Sequence, residues 1–149
     1  MESDPKGAIM SDDTSKPAST PEASPETDEH FVPITTSIPV DHDGTTVFLV
    51  GASVPESSSC PLVFVHGLGE VSNHYEDALK DAARMGHSAY AYDLRGHGLS
   101  GRMLGHTPSF QLLTKDLLQV AAWVRHRESG ATPVIVGVGL GSLVAIEFA

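Results

Sequence analysis

The stretch Pro61-Leu-Val-Phe-Val-His-Gly-Leu-Gly-Glu70 joins an unbroken apolar run to a turn built on two glycines. A short strand that is apolar at successive positions is covered on both faces, the condition of a parallel sheet packed between helices. The glycines free the following turn to aim backbone N–H groups at a ligand oxygen. The same succession returns twice downstream. Residues 88–93 read as a second buried strand, running into Asp93-Leu-Arg-Gly-His-Gly-Leu-Ser100. Residues 133–136 read as a third, running into Gly137-Val-Gly-Leu-Gly141.

Helices fill the intervals. Residues 75–85 place Ala78, Leu79, Ala82 and Met85 on one side and end at Gly86. Phe110, Leu113, Leu117, Val120, Ala121 and Val124 recur at helical spacing behind Ser109, a suitable N-cap. A third helix starts at 141 and runs to 149. Upstream, residues 31–40 are interrupted by Pro33 and Pro39 and read as an edge strand. Asp41-His-Asp-Gly44 is a turn, residues 45–50 a β-branched strand, and residues 51–59 a polar loop. The order β-β-β-α-β-α-β-α predicts an α/β domain, a mostly parallel sheet flanked by helices. Its ligands belong at the carboxyl ends of the strands.

Composition narrows the classes. The 149 residues carry a net charge of −10, which opposes binding to nucleic acid. Residues 1–30 hold eight acids against Lys6 and Lys16, four prolines and little that is apolar, so a disordered acidic tail is expected before a domain at 31–149. The start, Met1-Glu-Ser-Asp-Pro-Lys-Gly7, lacks the apolar core of a secretory signal, and no stretch approaches a membrane span. Cys60 is the single cysteine, and the eight histidines show no metal-ligand spacing, so neither disulfide, metal nor cofactor is expected. His42, His74, His87 and His126 read as solvated surface; His97 and His106 read as loop histidines bonded to backbone. A cytoplasmic protein is the expectation.

Three motifs in order carry a resemblance. His66-Gly-Leu-Gly-Glu-Val-Ser-Asn-His-Tyr-Glu76, Asp93-Leu-Arg-Gly-His-Gly-Leu-Ser100 and Gly105-His-Thr-Pro-Ser-Phe110 are similar to consecutive signatures of α/β-hydrolases. Residues 31–149 resemble the N-terminal half of that fold. The group most similar contains monoacylglycerol lipases and lysophospholipases, the serine aminopeptidase S33 type. The resemblance implies an oxyanion hole made by the backbone N–H groups of Leu68 and Leu140. It implies that His66, Gly67 and Gly69 shape the first turn, and that Arg95 and His97 brace the loop beneath the site. It also implies an acyl ester or lipid-like small molecule as ligand.

One position departs from the family pattern. A nucleophile elbow reads G-x-S-x-G, and here Gly137 and Gly141 flank Gly139, which has no side chain to act as nucleophile. Val138 stands where histidine often precedes the serine, and Ser142 falls inside the following helix. In this fold the acid and histidine of the triad, the later strands and the cap follow the elbow; the chain has ten residues after Gly139. Losing a triad nucleophile costs on the order of 10⁶ in turnover. No meaningful serine-hydrolase activity is therefore expected, and the domain is expected to be incomplete at its C-terminal side.

Other readings stand beside this one. A pseudoenzyme or half-domain would bind a ligand or a partner chain without catalysis, and a truncated or split reading frame would have no function of its own. Pro133-Val-Ile-Val-Gly-Val-Gly-Leu-Gly-Ser142 also approaches a dinucleotide fingerprint through Gly137-x-Gly139, but lacks the acid expected about 20 residues later. Strand 133–136 is expected to leave one edge unpaired and so to promote self-association.

Overall fold

The computed structural model describes residues 31–40, 44–101 and 103–149. The expected acidic tail at 1–30 and most of the turn at 41–44 lie outside the described residues. Five strands form one sheet: β1 (Val32–Pro39), β2 (Thr46–Ser53), β3 (Leu62–Val65), β4 (Ala89–Tyr92) and β5 (Val134–Gly137). A 3₁₀ turn (Ser72–Tyr75) leads into α1 (Glu76–Arg84); α2 (Phe110–Arg127) and α3 (Leu140–Phe148) complete the domain.

The sheet order is β1-β2-β4-β3-β5. The three strands that alternate with helices, β4, β3 and β5, run parallel, while β1 and β2 extend the sheet antiparallel. The sheet is therefore mixed, with its parallel part where the apolar runs placed it. Register matters for function: Val65 lies beside Tyr92 on one side and Gly137 on the other. The carboxyl ends of β3, β4 and β5 thus finish level, and their loops leave from one pole.

Two apolar layers cover the sheet. On one face Leu79, Ala82 and Ala83 of α1 pack with Ala52, Ala89 and Ala91. Small residues on the strands let α1 lie close. On the other face Leu113, Leu117, Val120 and Val124 of α2 and Val144 of α3 meet Val63, Val65, Tyr90, Tyr92 and Leu49. The one-sided spacing of α2 is realised as a buried stripe.

Four local expectations change. The buried side of α1 includes Ala83, while Ala78 and Met85 are exposed, because the helix is rotated toward Leu79 and Ala82. Residues 51–53 belong to β2 and not to the loop: Gly51 pairs with both Ile34 and Tyr90, and a Cβ there would overlap the Tyr90 ring. Strand β5 is not fully buried. It is an edge, with Val134 exposed and the rest half-buried. Ser109 precedes α2 in extended conformation but makes no side-chain cap bond; its carbonyl instead accepts from the Thr107 hydroxyl.

Candidate functional site

Three loops meet at the carboxyl pole, and each is pinned by side chains of its own motif. In the loop after β3, the buried His66 ring accepts the Leu94 N–H at Nε2, 2.9 Å away. That bond assigns the proton to Nδ1, which donates to the Gly67 carbonyl at 2.6 Å. Burial drives the His66 pKa below its ordinary value, so the ring is neutral, as both bonds require. The Gly67 N–H donates to Glu70 Oε2 at 2.8 Å, and the Tyr75 hydroxyl donates to the same oxygen at 2.7 Å. These bonds hold the Glu70 carboxyl below its usual range, the Gly67 amide contributing most. Burial pushes Tyr75 up to about 12, and its hydrogen bond to Glu70 adds to the rise.

The Gly67–Leu68 peptide is thereby oriented. A trans peptide carries its C=O and N–H on opposite sides, so a Gly67 carbonyl turned to His66 turns the Leu68 N–H away from it. Among the described residues that N–H meets no acceptor.

The loop after β4 is fixed from beneath. The buried Asp93 carboxylate accepts the Ser72 N–H at 2.7 Å and the Leu99 N–H at 2.8 Å. Arg95 forms a two-point ion pair with Asp116 of α2, both contacts at 2.9 Å, and donates to Thr45 Oγ1 at 3.0 Å. Both partners are almost entirely buried. His97 sits edge-on to His66, ring centres 5.1 Å apart, with its Nδ1 3.3 Å from the Arg95 carbonyl. His74, His106 and His126 are exposed. His87 departs from its expected solvated state: it is half-buried, with Nδ1 3.0 Å from the Cys60 carbonyl.

The turn after β5 is tight. Gly139 has φ 52° and ψ −116°, a conformation that an L side chain strains to adopt. A Cβ on Gly141 would overlap the Val65 carbonyl, and one on Gly137 would sit 2.5 Å from the Gly141 carbonyl, so both flanking glycines are required by the closeness of α3 to the strands. Gly139 differs: a Cβ there would meet only Gly67 Cα, at 3.5 Å, an ordinary contact. The turn thus has space for a side chain at the position that lacks one. Ser142 does not fill it; its hydroxyl donates back to the Gly137 carbonyl at 2.8 Å. Leu140 opens α3, and its N–H, like that of Leu68, has no acceptor among the described residues.

Sequence reading placed Leu68, Leu140, Gly139, His66 and Arg95 at this pole, and the structure brings their loops together. Glu70, Asp93 and Asp116 have no role in the sequence reading, although they hold the loops after β3 and β4 in place. No cluster of metal-ligating side chains occurs among the described residues.

A strained strand-to-helix turn beside a glycine loop on the neighbouring parallel strand is the geometry that comparison with known proteins then explains. The family model described as serine aminopeptidase, S33, matches residues 58–149. The chain belongs to that family. Relatives of this S33 chain include an uncharacterized abhydrolase domain-containing protein of Dictyostelium discoideum, 33% identical over 87 residues, 58% of this chain and 9% of that protein. Phospholipase YtpA of Bacillus subtilis is 32% identical over 88 residues, 58% of this chain and 33% of its own length. The S33 chain thus spans a third or less of these curated relatives. Among solved structures, Pyrococcus furiosus esterase Pf2001 superposes with TM-score 0.61 at 22% identity, covering 78% of this chain and 46% of the esterase. Epoxide hydrolase VrEH1 of Vigna radiata gives 0.59 at 17% identity, covering 82% and 36%. The fold is that of an α/β-hydrolase, and the chain corresponds to part of it. No helix among the described residues is long and apolar enough to cross a membrane.

Proposed function

We propose that this S33-family chain is a non-hydrolysing relative of carboxylic-ester hydrolases, of the kind that act on monoacylglycerols and lysophospholipids. It binds an acyl ester or similar lipid-like molecule at the carboxyl pole without cleaving it. In this reading the N–H groups of Leu68 and Leu140 receive the ligand carbonyl oxygen. His66, Gly67 and Gly69 shape the first loop, Gly137 and Gly141 the elbow, and Arg95 with His97 braces the floor. No cofactor takes part. The observation that carries the reading is Gly139: it occupies the strained apex of the turn and supplies no nucleophile. Family membership and the phospholipase name of one relative support the choice of ligand class. A cytoplasmic setting and self-association through the β5 edge belong to the same proposal.

The test combines a fluorophosphonate probe with p-nitrophenyl ester and monoacylglycerol hydrolysis. Neither labelling nor turnover above background is expected, in wild type or in Ser142→Ala. Stoichiometric labelling lost on changing some other serine would overturn the assignment of Gly139.

A further inference from the structure

At the end of the sheet opposite the Gly139 turn, a cavity of about 310 Å³ opens between the end of β2 and the end of α2. Its walls are mostly polar: Ser53, Glu56 and Ser57 on one side, Arg127, Glu128 and Ser129 on the other. The size lies at the lower end for small-molecule sites, about 300–1,000 Å³. The strands beside it, β2 and β4, are paired on both sides, so its walls do not depend on the β5 edge. Backbone conformation sets this cavity apart. Among the described residues, Glu56 and Ser129 are the two that have positive φ without being glycine, 56° and 53°, and both line it. Glu56 takes the third place of a turn closed by the Ser57 N–H on the Val54 carbonyl at 3.3 Å, where glycine would fit at lower cost. Ser129 follows the end of α2, another usual place for glycine. Backbone held in a costly conformation gathers at ligand sites.

The charges in the cavity are held but not satisfied. The Tyr90 and Ser53 hydroxyls both donate to Glu128 Oε1, the second at 3.3 Å, which leaves Oε2 without a partner among the described residues. Burial pushes Tyr90 up to about 12, so it remains a donor. The Arg127 guanidinium lies over the Trp123 ring, 5.6 Å from its centre, and neither Arg127 nor Glu56 forms an ion pair among the described residues. The opposite wall is seated as firmly. The Val54 N–H donates to Ser88 Oγ at 2.9 Å, and the Ser57 hydroxyl donates to the Gly86 carbonyl at 2.7 Å. Walls fixed in this way receive a ligand at small ordering cost.

The chemistry of these groups selects the ligand. The fork of Arg127 receives a carboxylate through two bonds. Glu128 Oε2, at the negative end of α2, and the carboxylate of Glu56 receive cationic groups. A dicarboxylate would face two carboxylates, and a diamine would leave Arg127 facing a cation. Among the described residues no cluster of three carboxylates, imidazoles or thiols offers a metal site instead. We propose that this cavity binds a free basic amino acid, its α-carboxylate on Arg127 and its two cationic groups shared between Glu128 and Glu56. The site lies away from the Gly139 turn and does not rest on the acyl-ligand reading.

The experiment is isothermal titration calorimetry of the full chain with L-lysine and L-arginine. Saturable binding is expected for both. It should be tighter by about tenfold or more than for cadaverine, which lacks the carboxylate, or succinate, which lacks the cationic groups. Arg127→Gln and Glu56→Gly should each weaken L-lysine by about tenfold or more. Glu56→Gly should at the same time keep or raise the melting temperature, because glycine adopts φ 56° without strain. A glutamate with a merely structural role would show no loss of binding there. Lys115→Gln, exposed elsewhere on α2, should bind like wild type. No saturable heat with either amino acid, cadaverine binding as tightly as L-lysine, or unchanged affinity in Arg127→Gln and Glu56→Gly would overturn the proposal.

Discussion

The Leu94 N–H donates to His66 Nε2 across 2.9 Å, tying the loop after β3 to the loop after β4 through one imidazole ring. The bond exists only while that nitrogen is unprotonated. Its opposite nitrogen sets the direction of the Gly67–Leu68 peptide, so the protonation state of one buried ring governs the geometry of two loops.

Stability should therefore fall on mild acidification. The folded-state pKa of His66 lies below its ordinary value of about 6.5. The unfolded chain takes up the proton first as pH drops. The stability due to neutral His66 is complete above about 6.5 and is lost as pH falls through the folded value. Glu70, also depressed, adds a second loss below the ordinary carboxylate range. Melting temperature against pH should show the first slope in wild type and lack it in His66→Gln.

Gly139→Ser should fold. The contact at 3.5 Å leaves room for its Cβ, but the backbone strain costs about 1–3 kcal/mol. Gly141→Ala should be worse despite its smaller side chain, because its Cβ meets the Val65 carbonyl. Chemical denaturation of the two variants checks the order; a more stable Gly141→Ala would show that α3 is not seated against β3.

Removing Arg95 takes the two-point ion pair away from the buried Asp116 carboxylate. Arg95→Ala should cost about 3–5 kcal/mol, whereas Arg95→Ala/Asp116→Leu should recover much of it. A double variant no better than the single would show that the pair is not an isolated couple.

NAD or NADP should not raise the melting temperature. The turn has the glycines of a dinucleotide fingerprint, but it comes after three hydrolase-like motifs, whereas that fingerprint sits in the first strand-to-helix turn of its domain. Thermal shift is the suitable readout, because Trp123 packs against Tyr90, ring centres 5.9 Å apart, and does not report on the turn. A saturable shift at micromolar cofactor would reverse the ranking.

The sequence shows the parallel strands clearly because each is a short apolar run leading into a glycine-bearing turn. It shows the elbow because Gly137 and Gly141 mark two close approaches of backbone to backbone. It hides Asp116, whose carboxylate interrupts the apolar stripe between Leu113 and Val120. A charge at a core-facing helical position was the available signal, but its partner Arg95 is 21 residues away in sequence and becomes visible only in three dimensions. Gly51 reads as a loop residue for a similar reason: the Tyr90 ring that requires it belongs to another strand. Met85 was placed on the wrong side because the periodicity of a nine-residue helix fixes its rotation poorly.

The two edges of the sheet are unlike. β1 carries Pro33 and Pro39, which withhold backbone donors, while β5 reads Val-Ile-Val-Gly with neither proline nor charge. Among the described residues, β5 is therefore the edge better suited to strand addition. Copies that join through the sheet must then meet β5 to β5, and an interface that uses the same strand twice closes on a two-fold axis. Association of this kind would end at a pair and use up the strand that carries neither proline nor charge.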